Sequence, residues 1–226
     1  MSGGTGHERP TVAPLGDSAL TIRLGDHIDR ALAVRVRELA DRIRAARIAS
    51  VAEVVGGYAA LTVWYDALRA DYDTMVAALA PVLEMSLPMS AELPGMQTAR
   101  EHIVPVIYDG PDLEEVARRT GLEVSDVIAR HGDRWYDVYL IGFVPGWGYL
   151  GDLDPALVLP RRMQPRPRVP AGSVAIAEAQ TGVYPLVTPG GWHLIGRTSV
   201  VFFDPMAYPP ALLAPGDRVR FVPVAP

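Results

Sequence analysis

The sequence predicts two folded units, a small α+β domain followed by a mainly β body. Two observations carry this. Up to about residue 85, segments of helical and of strand periodicity follow in the order β-α-β-β-α. From Ile141 to Thr198 glycine and proline are too dense for helices, while short apolar runs such as Ser173–Ala177 and His193–Ile195 recur too regularly for disorder. The first unit is expected at 11–85, a linker at 86–100 and the second unit at 101–226, with many tight turns and a concave, polar-lined face.

The glycine-rich tail before residue 11 is expected to be unstructured. Ala19–Leu24 alternates with Leu20, Ile22 and Leu24 on one face, a strand. Ile28, Leu32, Val36, Leu39, Ile43 and Ala46 form one stripe at helical spacing, a helix over about 28–47 with arginines and acids on its solvated face. Val51–Val55 and Ala60–Tyr65 are strands around Gly56-Gly57, a pair that suits a hairpin because glycine tolerates positive φ. A helix over 72–83 has Asp71 or Asp73 as N-cap, and Pro81 is expected to kink or stop it. An antiparallel sheet with helices on one face is the expected outcome.

Residues 84–99, with two prolines, a glycine and no periodicity, read as the linker. Met85, Met89 and Met96 fall there, as a partly packed linker or a methionine-lined contact. His102–Tyr108 is a strand that Pro105 confines to an edge or a bulge. Asp112 caps a helix with Glu114 and Glu115 in its first turn, where the dipole favours acids. Gly121 ends it, and a second helix runs from Glu123 or Ser125 to about His131. Trp135–Ile141 is a strand. Val200–Phe203 and Arg218–Val222 read as closing strands, the last entered through a turn at Pro215-Gly216-Asp217.

Composition narrows the chemistry. The 226 residues are 49% hydrophobic, enough for a core, and the net charge of −5 argues against nucleic acid as a partner. There is no cysteine, so disulfides, thiolate metal sites and a cysteine nucleophile are excluded. All the basic residues are arginine. With no lysine, a Walker-type phosphate site, a Schiff base and a biotinylated lysine are excluded from this chain. No apolar run is long enough to span a membrane, and the first ten residues lack the core of a signal peptide, so a cytoplasmic protein is expected. The histidines at 7, 27, 102, 131 and 193 form no pair at ligand spacing, and no metal site is expected.

The candidate site residues lie between Gly142 and Thr198. Arg161, Arg162, Arg166 and Arg168 sit among prolines that hold the backbone extended, as an anion-binding rim or a solvated, salt-bridged strand. Gln180, Thr181 and Tyr184 could orient a polar planar ligand, or tie down a turn and fill the core. His193 is a general acid or base, or a hydrogen-bonded structural group. Arg197 pairs with an anion or with a nearby carboxylate. Gly142–Gly151 fits neither the Walker nor the Rossmann spacing, and its aromatic residues suggest a lid or wall. Asp152 and Asp154 form an acid/base pair or a turn.

Three segments, GFVPGWGYLGDLDP, PRRMQPRPRVPAGSVAIAEAQTGVYP and TPGGWHLIGRT, resemble the KipI / allophanate hydrolase subunit 1 family. The sequence departs from it at Trp147-Gly148, where the family more often has Phe-Pro. That family includes the B-type component of bacterial ATP-dependent 5-oxoprolinase and one half of the carboxyltransferase domain of urea carboxylase. The resemblance implies a cyclophilin-like β-barrel for the second unit. It implies a B-type subunit that acts with a C-type partner, and with an A-type subunit, to open 5-oxoproline to glutamate. ATP would be bound by or shared with the partners. The alternatives are the carboxyltransferase half of a biotin-dependent urea carboxylase, with biotin on another protein, and a KipI-like inhibitor of a histidine kinase. His193 and Arg197 are thus the catalytic candidates, and Arg166, Arg168, Gln180, Thr181 and Tyr184 the substrate- or anion-binding ones; the resemblance favours Arg166 and Arg168 among the arginines, which match the family motif, and the anion role of Arg197.

Overall fold

A computed structural model describes residues 10–84 and 99–225. The tail before residue 10 and most of the 84–99 linker, with its three methionines, lie outside the described residues. The chain divides into two compact units between Thr98 and Ala99.

The first unit holds β1 (Thr11–Pro14), β2 (Ala19–Arg23), α1 (Arg30–Ala45), β3 (Val51–Gly56), β4 (Ala60–Tyr65) and α2 (Tyr72–Glu84). Its antiparallel sheet has the order β1-β2-β4-β3. Strand β1 was not expected: only four residues long and barely buried, it carries almost no apolar signal. Leu20 and Ile22 of β2, Val54 of β3 and Leu61, Val63 and Tyr65 of β4 share one buried cluster with Leu32, Val36, Leu39 and Ile43 of α1 and Met75 and Leu79 of α2. The alternate sheet residues Thr21, Thr62 and Trp64 are outside it, so the helices cover one face.

The ends of the expected α1 stripe fall away. Ile28 precedes the helix and is exposed, because the Asp29 carboxylate accepts from Leu32 N at 3.0 Å and starts the helix there. Asp71 caps α2, accepting from Thr74 N at 2.9 Å. Pro81 does not stop α2, which runs on to Glu84. The carbonyl that Pro81 cannot satisfy belongs to Ala77, on the exposed side of the helix where water can serve it. Neither Gly56 nor Gly57 takes a positive φ. The hairpin needs Gly57 for closeness instead: its N–H donates to Ala60 O at 2.7 Å, and a Cβ would sit 3.1 Å from that oxygen.

The second unit holds β5 (Glu101–Val106), α3 (Leu113–Thr120), α4 (Val124–Gly132), β6 (Tyr136–Ile141), β7 (Gly148–Gly151), a 3-10 turn (Pro155–Leu157), β8 (Arg166–Val169), β9 (Ser173–Ala177), β10 (Gln180–Val183), β11 (Thr188–Gly190), β12 (His193–Arg197) and β13 (Arg218–Pro223). Seven strands form one mixed sheet in the order β12-β9-β10-β7-β6-β13-β5. Its two ends meet. Ile107, just past β5, exchanges backbone hydrogen bonds of 2.9 Å with Arg197 at the end of β12. The sheet is therefore nearly closed into a barrel, which removes most of its free edge. Pro105 is accommodated because β5 pairs only with β13 along its length. The strand expected at Val200–Phe203 does not form. Only Phe203 bridges to Ala211, since Pro205, Pro209 and Pro210 cannot donate to a ladder.

The barrel sheet is buried on both faces around β9, which explains the unbroken run Ser173–Ala177. Val174 and Ile176 join the cluster containing Leu113, Val116 and Val127 of the helices. Ala175 and Ala177 join Trp147, Tyr184 and Trp192.

A polar chain crosses the first of these clusters. His131 is fully buried. Its Nδ1 lies 2.6 Å from the Tyr108 hydroxyl and its Nε2 2.8 Å from Thr181 Oγ1. Thr181 Oγ1 donates to Ala175 O at 3.0 Å, so it must accept from His131 Nε2–H, and Nδ1 must accept from Tyr108. The imidazole is thus held neutral. Burial, with the nearby charge of Arg134, brings its pKa down to about 3. Below its unfolded pKa of about 6.5 the unfolded chain takes a proton that the folded chain refuses, so this contribution is complete above that pH and is lost as pH falls toward 3. We predict that unfolding free energy drops by up to about 1.4 kcal/mol per pH unit below pH ~6.5. In urea titrations His131→Gln should remove this slope between pH 6 and about 4.5, before carboxylates dominate. An unchanged slope in the variant would contradict the assignment.

Candidate functional site

The second unit carries a cavity of about 200 Å3 lined by Phe143, Trp147, Tyr149, Arg161, Pro165, Tyr184, Pro189, Gly190, Gly191 and Trp192. Four stretches build it: the turn entering β7, the proline-arginine segment before β8, the end of β10, and the β11–β12 connection. Trp147 is the hub of its wall. Its ring meets Tyr184 at 4.6 Å, Trp192 at 5.0 Å, and Tyr149 and Phe143 at 5.8 Å, all edge to face. Gly182 makes room for it, since a Cβ there would lie 2.9 Å from the indole. Gly190 does the same for Tyr184, whose hydroxyl a side chain at 190 would overlap. Phe143 is held at φ 65°, a left-handed conformation that disfavours an aromatic residue, and the residue is 59% exposed at the mouth. Burial raises the pKa of the Tyr184 and Tyr149 hydroxyls, so both stay protonated at neutral pH. The expected polar lining is in fact aromatic, with a single charge, that of Arg161.

Asp112 positions the proline-arginine segment. Its carboxylate is almost wholly buried, accepting from Arg166 Nη1 and Nη2 at 2.8 and 2.7 Å, Arg162 Nη1 at 2.8 Å and Leu194 N at 2.7 Å. Burial opposes its ionisation, but these hydrogen bonds and the two guanidinium charges outweigh burial and hold its carboxyl below the usual range. Asp112 occupies the N-cap position of α3 but makes no side-chain cap bond, because its oxygens are taken by the arginines.

Of the seven residues singled out from the sequence, Tyr184 alone lines the cavity. Arg166 is engaged by Asp112, and Arg168 is exposed on β8 away from the lining. Gln180 is buried on β10, and Thr181 belongs to the His131 chain. His193 is fully buried, with Nε2 3.0 Å from Pro160 O. Arg197 closes the barrel with its backbone and pairs its side chain with Asp109 at 2.9 Å. Asp154 acts in a turn, accepting from Ala156 N and pairing with Arg134 at 2.9 Å. Sequence reasoning passed over Arg161 in favour of Arg166 and Arg168. Asp112 takes Arg166, through a contact 54 residues apart in sequence, while Arg168 points to solvent from β8.

A family model, "Carboxyltransferase domain, subdomain C and D", matches residues 10–213. The chain belongs to that family. It is 38% identical over 224 residues to a protein of Bacillus subtilis (strain 168) named as the B-type subunit of 5-oxoprolinase, covering 95% of this chain and 92% of that one. The crystal structure of TTHA0988 superposes with a TM-score of 0.80 at 39% identity over 93% of this chain, which spans only 40% of the TTHA0988 chain. Kluyveromyces lactis urea carboxylase superposes with a TM-score of 0.73 at 18% identity, covering 96% of this chain and 22% of that one, a likeness of fold.

The buried Asp112 carboxylate predicts an asymmetry among its neighbours. Arg166→Ala removes two of its four hydrogen bonds and leaves only Arg162 and Leu194 N–H, and should cost about 2–3 kcal/mol, below the ~3–5 kcal/mol of a charge left with no partner. Arg168→Ala, on an exposed side chain, should stay within about 0.5 kcal/mol of the parent. Urea unfolding of both variants measures the difference.

Proposed function

We propose that the chain is the B-type subunit of an ATP-dependent 5-oxoprolinase and acts with a C-type partner to open 5-oxoproline to glutamate. The observation that carries this is the near-full-length similarity to the Bacillus subtilis 5-oxoprolinase component. That the same fold forms a minor part of the longer TTHA0988 chain supports a role beside further polypeptide.

The physical features agree with such a division of labour. Ring opening breaks the lactam C–N bond and adds water, and coupling it to ATP requires a triphosphate site. The residues here do not fit ATP. The chain has no lysine, and the aromatic-walled cavity is smaller than the ~300–1,000 Å3 of drug-sized sites. ATP binding and phosphate chemistry are therefore assigned to the partners, and no step on this chain is routed through the nucleotide.

The test is co-purification with the C-type partner, followed by phosphate release with 5-oxoproline in the presence and absence of an A-type subunit. Turnover is expected only with the partners present. Carboxybiotin-dependent carboxylation of urea without 5-oxoproline turnover, or inhibition of histidine-kinase autophosphorylation by the chain alone, would overturn the proposal.

A further inference from the structure

We infer that the aromatic-walled cavity is the recognition site for a small ring-shaped monoanion, with Arg161 holding its carboxylate and the indole N–H of Trp147 donating to a carbonyl on the ring. This rests on the 5-oxoprolinase reading only for its choice of 5-oxoproline as a probe.

Three observations converge. The first is charge. An aromatic cage suits a quaternary ammonium when a carboxylate accompanies it, but no Asp or Glu lines this cavity and an arginine does. Arg161 is exposed, and its guanidinium carbon lies 6.0 Å from the Trp192 ring centroid, at the limit of a cation-π contact. Arg162 and Arg166 are tied to Asp112, whereas Arg161 has no carboxylate partner among the described residues. Its planar fork suits a carboxylate.

The second is an orphaned donor. Trp147 is 1% exposed and lines the cavity, yet its Nε1–H is buried with no acceptor among the described residues. A buried donor left unmade is costly, and natural proteins seldom tolerate one without a purpose. An acceptor on a bound ligand would relieve it.

The third is shape. The cavity holds about 200 Å3, room for one small ring. Its walls are the edges and faces of Trp147, Tyr149, Tyr184 and Trp192. Phe143, in its strained left-handed conformation, stands at the mouth.

The experiment is isothermal titration calorimetry of the full chain with 5-oxoproline, cyclopentanecarboxylate, which lacks the ring carbonyl, 2-pyrrolidinone, which lacks the carboxylate, and 2-furoate as a second flat carboxylate. Both carboxylate-bearing rings that carry an acceptor should bind, and 2-pyrrolidinone should bind at least about tenfold more weakly. Arg161→Gln, at an exposed position that leaves the fold intact, should raise the Kd of the carboxylates about tenfold and leave 2-pyrrolidinone unchanged. Trp147→Phe retains an aromatic ring without the N–H and should weaken 5-oxoproline several-fold more than it weakens cyclopentanecarboxylate. Equal affinities in parent and Arg161→Gln, or no binding of any carboxylate at millimolar concentration, overturns the inference. Arg161-dependent binding of 2-furoate without turnover of 5-oxoproline by the assembled complex keeps this site and removes the 5-oxoprolinase reading. Undiminished turnover in complexes carrying Arg161→Gln and Trp147→Phe removes this site and keeps that reading.

Discussion

One carboxylate, that of Asp112, holds the cavity-bearing part of the second unit in place. It reaches three separate stretches of chain: α3, on which it sits; the proline-arginine segment, through Arg162 and Arg166; and β12, through Leu194 N–H. The segment between Pro160 and Val169 makes few backbone bonds, because its prolines lack donors: β8 pairs with β11, Arg162 N–H donates to Gly191 O at 2.8 Å, and Pro160 O lies 3.0 Å from His193 Nε2. The ion pairs to Asp112 add side-chain anchors at Arg162 and Arg166. By taking Arg162 and Arg166 inward, Asp112 leaves Arg161 at the cavity, beside Trp192.

Barrel closure and the buried polar chain supply the rigid ground for that arrangement. Ile107 and Arg197 join the ends of the sheet, so β12 cannot move without breaking the closure. His131 links Tyr108, after β5, to Thr181 on β10. Asp217, almost wholly buried, does comparable work at the opposite end, accepting from Arg100 and Ala214 N and contacting His102 at 3.1 Å. Each of these groups is satisfied by partners far away in sequence, which fixes register in short strands that packing alone would specify weakly.

The helices and the apolar strands were legible in the sequence because their signals are local. The α1 stripe, the alternation of β2 and β4, the run Ser173–Ala177 and Gly121, with φ 70° after α3, each announce themselves within a few residues. Strands β8, β10 and β11 did not, since glycine, proline and polar residues mask their period. The candidate cavity draws on the region singled out in the sequence, and on one of its seven residues, Tyr184. The segments of Gly142–Thr198 do assemble the cavity, and the aromatic turn is its wall as expected. Yet His193, Arg197 and Thr181 make structural hydrogen bonds, and two of the four neighbouring arginines, Arg162 and Arg166, are taken by a carboxylate some 50 residues upstream. An ion pair between distant positions leaves no periodic trace in a single sequence.

A double-mutant cycle between Asp112 and Arg166, using Asp112→Asn, Arg166→Gln and the pair, tests the organising role of this carboxylate most directly. Read as unfolding free energy, the coupling should exceed about 1.5 kcal/mol, with the double variant less damaged than the two single losses together imply. A coupling below about 0.3 kcal/mol, the scatter of independent sites, would show that the proline-arginine segment is held by something else.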